Sequence, residues 1–146
     1  MLTRISVLLL LLALVASACA GQPEQLPYTL APESALPEFV SHAAPTVKEA
    51  YRFAINNMHE LENYPCYCGC GAMGHTSNLG CYIQDVDTLG TITFDRHATG
   101  CGICVDITLD VMRLLKEGRS SLEIRTYIDA QYSSFGPSTN TPLPEA

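Results

Sequence analysis

Residues 65–71 have the sequence PCYCGCG, which sets Cys66, Cys68 and Cys70 at alternate positions with glycines beside them. This stretch lies in a longer segment, residues 62–106, that holds six of the seven cysteines and most of the ten glycines. A segment of this length with little regular structure needs another source of order. The sequence therefore predicts a region held together by a metal or by disulfides.

The same segment continues with two histidines and three further cysteines. Cys101 and Cys104 have the spacing that structural zinc sites use, whereas the tight Cys-x-Cys spacing at residues 66–70 suits bridging thiolates around several Cu(I) ions. Thiolates are soft ligands, so we expect a soft metal, copper first and zinc second. The predicted ligands are Cys66, Cys68, Cys70, His75, Cys81, His97, Cys101 and Cys104.

Two other uses of the cysteines stay open. Six cysteines in an exported protein are also typical of a disulfide framework, which would make this a structural or interaction domain. Cys101 and Cys104 could instead serve a thiol–disulfide oxidoreductase, although no βαβ pattern of a thioredoxin fold surrounds the pair. We favour a binding function over an enzyme.

Helical patterns flank the segment on both sides. Apolar residues recur at helical spacing, with capping boxes at Thr46–Glu49 and Ser120–Glu123 and with Gly118 at a helix end. Two short β-like pieces, residues 81–83 and 91–94, could pair as a hairpin. The fold class is therefore mainly α: a small helical domain with a long Cys/Gly-rich loop region. The predicted helices cover residues 46–61, 104–117 and 121–133.

The start of the chain predicts export. Arg4 precedes an apolar run that is shorter than the roughly 20 residues of a membrane-spanning helix. Val15-Ala16-Ser17-Ala18-Cys19 resembles a bacterial lipobox, which implies cleavage before Cys19 and lipidation of that cysteine. The predicted parts are a signal peptide (1–18), a lipid anchor and flexible tether (19–37), a cysteine-rich domain (38–135) and a flexible tail (136–146).

The charge restricts the partners. From Cys19 onward the chain carries seven Lys and Arg against fifteen Asp and Glu, a balance that repels nucleic acid. The expected partners are a metal ion and the cell membrane, the latter through the lipid anchor, in an extracytoplasmic location.

The quoted motif resembles a known family, the PCYCGC-motif (lipo)proteins. The resemblance extends from Tyr51 to Tyr132 and includes the two histidines and all six cysteines of the segment. It implies an exported, lipid-anchored protein with a fixed cysteine pattern, and it implies no particular reaction.

The lipid anchor is tested by replacing Cys19. We expect Cys19→Ala to release soluble protein with an intact domain, because the acyl chains would be lost while the cysteine-rich segment is unchanged. Fractionation and mass spectrometry of the parent and the variant measure this. An unmodified Cys19 in the membrane-bound parent would contradict the prediction.

Overall fold

The computed structural model describes residues 26–145, so the predicted signal peptide and Cys19 lie outside it. Within these residues the predicted fold class is confirmed: the chain is mainly helical with one antiparallel hairpin. Short 3₁₀ helices occupy Glu33–Ala35, Glu38–Val40, Cys70–Met73 and Asn78–Cys81. The other elements are α1 (Pro45–Asn56), α2 (Met58–Leu61), β1 (Ile83–Val86), β2 (Ile92–Phe94), α3 (His97–Gly100), α4 (Gly102–Lys116) and α5 (Ser121–Tyr132).

The first predicted helix is divided into α1 and α2. Pro45 occupies the first turn of α1, where its fixed φ and missing N–H cost nothing. The residue before it, Ala44, is the N-cap and provides no side-chain cap, so the predicted Thr46–Glu49 capping box is wrong. Asn57, with φ −131°, interrupts the helical backbone and separates α1 from α2.

The segment before α1 packs against that helix along residues 26–37, which we predicted to be part of a flexible tether. The Ala31 amide donates to the Arg52 carbonyl at 3.0 Å, and Ala31 is buried. The ring of Tyr28 meets the ring of Phe53 edge-on, with 5.1 Å between centroids. These residues make apolar contact with α1, whereas their polar, proline-rich composition predicts a flexible segment.

Helix α4 is the centre of the fold and packs against both α1 and α5. It begins two residues earlier than predicted, with Cys101 as its N-cap. Gly118 follows its end with φ +76°, a left-handed conformation that glycine adopts without a Cβ clash. The Ser120–Glu123 capping box that begins α5 is confirmed. The buried apolar face of α4 includes Ile107, Val111 and Leu114.

The predicted hairpin is also confirmed, with β1 beginning later than expected. Strands β1 and β2 pair antiparallel, with Ile83 opposite Phe94 and Val86 opposite Ile92. Asp87 closes the turn by accepting hydrogen bonds from backbone amides of the turn at 2.8 Å. The hairpin places β2 directly before α3, and so sets the position of His97.

The C-terminal segment, residues 136–145, differs from the flexible tail that we predicted. The Thr139 amide donates to the Cys66 carbonyl at 3.0 Å, and the Cys66 amide donates to the Thr139 hydroxyl at 2.9 Å. The Arg125 guanidinium donates to the carbonyls of Thr141 and Pro142 at 3.2 and 2.8 Å. Thr139 and Thr141 are buried. Paired backbone groups thus fix the segment against the PCYCGC loop, despite its prolines.

Over residues 26–145, none of the helices combines the length and the apolar content that crossing a bilayer requires.

Arg125 is the residue that anchors the C-terminal segment, and Arg125→Lys tests this. Lysine keeps the charge but cannot donate to two carbonyls and also bind Asp129, so we expect a loss of about 1–3 kcal/mol of unfolding free energy. The Thr139 amide should also exchange faster with solvent. Urea unfolding and hydrogen exchange measure this, with the exposed Arg119→Lys as the control. Unchanged Thr139 exchange would contradict the anchoring role.

Candidate metal centre

Three parts of the chain bring the six described cysteines to one place. The PCYCGC loop contributes three thiols, the 3₁₀ helix Asn78–Cys81 contributes one, and the start of α4 contributes two. Most of these side chains are buried, while Cys68 and Cys101 are partly exposed. The residues predicted from the two separate sequence clusters therefore form a single cluster in the structure.

The sulfur atoms lie at or near van der Waals contact. Cys104 is central: its Sγ lies 3.2 Å from that of Cys81, 3.3 Å from that of Cys66 and 3.6 Å from that of Cys68. The Sγ atoms of Cys66 and Cys68 are 3.3 Å apart, and those of Cys70 and Cys81 are 3.7 Å apart. A disulfide bond measures about 2.05 Å, and all six are free thiols here.

Both predicted histidines stand at the rim of this cluster, but in different ways. His97 Nε2 lies 3.2 Å from Cys68 Sγ, and His97 belongs to two groups of potential ligands. His75 Nδ1 lies 3.6 Å from Cys81 Sγ, and His75 belongs to none of those groups. The two rings meet edge-on at 5.4 Å between centroids. The structure therefore brings His97 into the cluster and leaves His75 beside it.

The potential ligands form four overlapping groups, within each of which the ligand atoms lie within 4.8 Å of one another. Cys66, Cys68, Cys70, Cys81 and Cys104 each belong to two groups. Shared sulfurs are what a polynuclear thiolate site requires, since one thiolate can bridge two ions. The groups are Cys68–His97–Cys101–Cys104, Cys66–Cys68–Cys70, Cys66–Cys81–Cys104 and Cys70–Cys81–His97.

Glycines let the PCYCGC loop turn inward. Gly69 has φ +84°, a left-handed conformation that costs an L-residue about 1–2 kcal/mol but costs glycine little. Gly69 lies between Cys68 and Cys70, and both thiols reach the cluster: Cys68 Sγ lies 3.6 Å from Cys104 Sγ, and Cys70 Sγ lies 3.7 Å from Cys81 Sγ. Gly136 of the C-terminal segment lies so close to the loop that a Cβ there would stand 2.9 Å from the Tyr67 carbonyl oxygen.

A buried polar network fixes Cys104 relative to the segment that carries Cys81. The Cys104 carbonyl accepts hydrogen bonds from the Asn78 amide at 3.2 Å and from the Tyr82 hydroxyl at 2.8 Å. The Thr108 hydroxyl lies 2.8 Å from both the Asn78 side-chain oxygen and the Tyr82 hydroxyl. These three side chains are fully buried, so the network holds residues 78–82 against α4.

The thiols differ in acidity because they share hydrogen bonds. Bonds from the Cys104 and Cys81 thiols lower the pKa of Cys66 far below its usual value, and a bond from Cys81 lowers the pKa of Cys70 to about 7. Hydrogen bonds with neighbouring thiols raise the pKa of Cys81 and Cys104, and burial raises that of Cys68. The thiols therefore differ in acidity although their sulfurs lie in one cluster.

Sequence reasoning missed the residues that support the cluster. Asp95 Oδ1 accepts a hydrogen bond from the His97 amide at 2.6 Å, and its other oxygen lies 3.5 Å from His75 Nε2. Asn78 and Thr139 bind the backbone of cysteines that are distant in sequence, and Thr108 binds the Asn78 side chain. Asp95 stands two positions before His97, which was a weak local signal. The other three carry no local signal at all.

The fold and the cluster define a small, mainly helical domain built around six thiols and a histidine. This chain belongs to the family described as protein of unknown function with PCYCGC motif, whose model matches residues 22–144. The family match includes the segments before residue 38 and after residue 135 that we had placed outside the domain. Comparison with curated proteins and with solved structures gave no match.

The network at Cys104 is tested by Thr108→Val, which keeps the side-chain shape and removes the hydroxyl. Buried Asn78 and Tyr82 would each lose a partner, so we expect the free energy of unfolding to fall by about 1–3 kcal/mol. Urea unfolding of the metal-free, reduced protein measures this. Thr126→Val, at an exposed hydroxyl, is the matched control and should change little. Equal effects of the two variants would contradict the role of the network.

Proposed function

We propose that this protein is an exported, lipid-anchored protein that binds a soft metal ion, copper first and zinc second. One observation carries the proposal: six free thiols and His97 form overlapping groups with ligand atoms within 4.8 Å of one another. Thiolates and imidazole are the ligands that such ions prefer. The protein would act as a sensor, store or chaperone for the ion.

The sulfur spacing supports a metal more than disulfides. Zn–S bonds of about 2.3 Å at tetrahedral angles place sulfurs about 3.8 Å apart. The contacts here run from 3.2 to 3.7 Å, so shifts of a few tenths of an ångström would admit an ion. A disulfide would instead require its two sulfurs to move closer together by more than an ångström. It would also join each sulfur to a single partner, whereas each sulfur now has several neighbouring sulfurs.

Copper is favoured over zinc by the number and sharing of the thiols. A structural zinc ion uses four ligands in a closed tetrahedral set, and Cys68, His97, Cys101 and Cys104 are such a set. That set leaves three thiols over, and one of its members, Cys104, also lies against two of them. Bridging thiolates that hold more than one Cu(I) ion would use all six.

The electrostatics also favour a bound cation. Six buried or half-buried thiols cannot all ionise together in a low-dielectric interior without a counter-charge. Metal binding supplies that charge and releases the thiol protons. Because the same thiols join the loop, the 3₁₀ helix and α4, the binding free energy would also stabilise this part of the fold.

The location is proposed from the sequence. The signal-like start and the lipobox at Cys19 support export and lipid anchoring to the outer face of a cell membrane. Free soft-metal ions and their carriers would then meet the protein outside the cytoplasm.

The enzyme alternative rests on Cys101 and Cys104. Cys101 is partly exposed and is the N-cap residue of α4. In the part of the chain that the structure describes, however, the sheet is a single hairpin with no βαβ unit. Cys104 Sγ also lies closer than 3.4 Å to both Cys66 and Cys81, so this thiol is shared with the whole cluster.

Serine variants separate the two functions. If the cluster binds metal as one unit, Cys68→Ser and Cys104→Ser should both lower bound copper or zinc, because a hydroxyl is a harder and much less acidic ligand. Metal analysis of protein purified without added metal, with a free-thiol count, measures this. Cys19→Ala, which removes a cysteine that is not among the proposed ligands, is the control and should keep the parent's metal content.

An oxidoreductase would behave differently. Disulfide reductase turnover in a metal-free parent, kept in Cys68→Ser and lost in Cys104→Ser, would overturn the metal function. A parent with neither metal nor free thiols would support the disulfide framework instead.

A further inference from the structure

Access to the sulfur cluster is limited to one side. Cys66, Cys81 and Cys104 have no exposed surface, and Cys70 is 1% exposed. The ligands that reach the surface are Cys68, Cys101 and the two histidines. An ion entering this cluster without unfolding of the domain must therefore pass along the edge where these side chains stand.

Two adjoining open grooves lie on the histidine side of that edge. They measure about 500 and 400 Å³, and both are lined by Met73, His75, Gln84 and Asp95, while His97 lines the larger one. His75 separates the grooves from the buried thiols. Its Nδ1 lies 3.6 Å from Cys81 Sγ, and its Nε2 lies 3.5 Å from Asp95 Oδ2 on the groove side.

Met73 is exposed at the mouth of these grooves. Its side chain is 58% exposed, so it is not filling a gap in the core as buried methionines do. It ends the 3₁₀ helix that begins at Cys70, and the left-handed Gly74 (φ +93°) turns the chain from Met73 to His75. A soft thioether and an imidazole thus line the same two grooves on the histidine side of the cluster.

We propose that Met73 and His75 form an entry site that captures Cu(I) from a carrier and passes it to the thiols, with His97 and Cys68 as the next ligands. This inference rests on the proposed function. The transfer is a ligand exchange in which copper stays Cu(I). The carrier's ligands leave, and each thiol that becomes a thiolate ligand, terminal or bridging, releases its one proton to solvent. Asp95 is a positioning residue that holds His75 from its Nε2 side while Nδ1 faces the cluster.

The entry site predicts a change in rate without a change in capacity. Met73→Leu keeps the size and apolar character of the side chain but removes the sulfur. We expect Cu(I) transfer from its bathocuproine disulfonate complex to slow about tenfold. The reason is that the loss of one weak ligand would raise the activation free energy of transfer by about 1.4 kcal/mol. The copper bound per protein at equilibrium should stay at the parent's value, since the cluster is intact.

Stopped-flow absorbance of the copper complex, mixed with the reduced full chain in detergent, measures the rate. Met58→Leu, on α2 and away from the grooves, is the matched control and should match the parent. Met73→Cys should restore fast transfer, because it returns a soft sulfur. Zinc uptake by Met73→Leu should equal that of the parent, since thioethers are not among the usual zinc ligands.

The outcomes are distinguishable. A Met73→Leu variant that takes up Cu(I) at the parent's rate would contradict the entry site without contradicting the proposed metal-binding function. A variant that slows and also binds less copper would overturn the entry site too, because Met73 would then belong to the final site. A parent that takes up no copper would overturn the proposed function, and the entry site with it.

Discussion

The structure depends on the burial of one thiol, that of Cys104, among the other sulfurs. Its Sγ lies within 3.6 Å of three other thiols that come from two different segments, and its carbonyl accepts hydrogen bonds from Asn78 and Tyr82. Cys104 belongs to the central helix α4, so whatever contacts it is fixed to the apolar core. The long glycine-rich region gains its order through this residue, because it has little regular structure of its own.

The same arrangement explains why the cluster is both stable and able to react. Among the described residues, the buried side-chain nitrogen and oxygen atoms all have hydrogen-bond partners, so these side chains carry no desolvation penalty for unpaired groups. The thiols, by contrast, contact one another at 3.2 to 3.7 Å, and S–H is only a weak hydrogen-bond donor. The polar side chains that support the cluster are thus well bonded, while the sulfurs have only weak hydrogen bonds that a bound ion would replace. Such a division suits a site that gains and loses metal without rebuilding the fold.

Both ends of the described chain pack against the rest of the domain. Residues before α1 pack on that helix, and residues 136–145 pair with the backbone of Cys66. Arg125 lies in α5, where its Nε donates to both carboxylate oxygens of Asp129, and its Nη1 donates to the Thr141 and Pro142 carbonyls of this last segment. The Tyr67 hydroxyl donates to the same carboxylate at 2.7 Å, so the PCYCGC loop, the C-terminal segment and α5 share one polar junction. The cluster is consequently enclosed on this side and open on the side of the histidines.

The sequence by itself determined the features that depend on neighbours along the chain. Helical spacing of apolar residues predicted α4 and α5, Ser120 and Glu123 predicted the cap of α5, and Gly118 predicted the end of α4, because these signals act within a few residues. The motif and the cysteine spacing also identified every thiol of the cluster. The predicted capping box of α1 is wrong because Pro45 lies in the first turn and fixes the start of the helix without a side-chain acceptor.

Only the tertiary structure decided which groups meet across long distances in the chain. Thr139 binds Cys66 across 73 positions, and Thr108 binds Asn78 across 30. Nothing in the local pattern distinguishes these two buried threonines from threonines at the surface. The division of the two histidines, with His97 in the cluster and His75 beside it, follows from the path of the hairpin and of Gly74. Such contacts depend on the summed geometry of all the intervening elements, which local residue preferences do not specify.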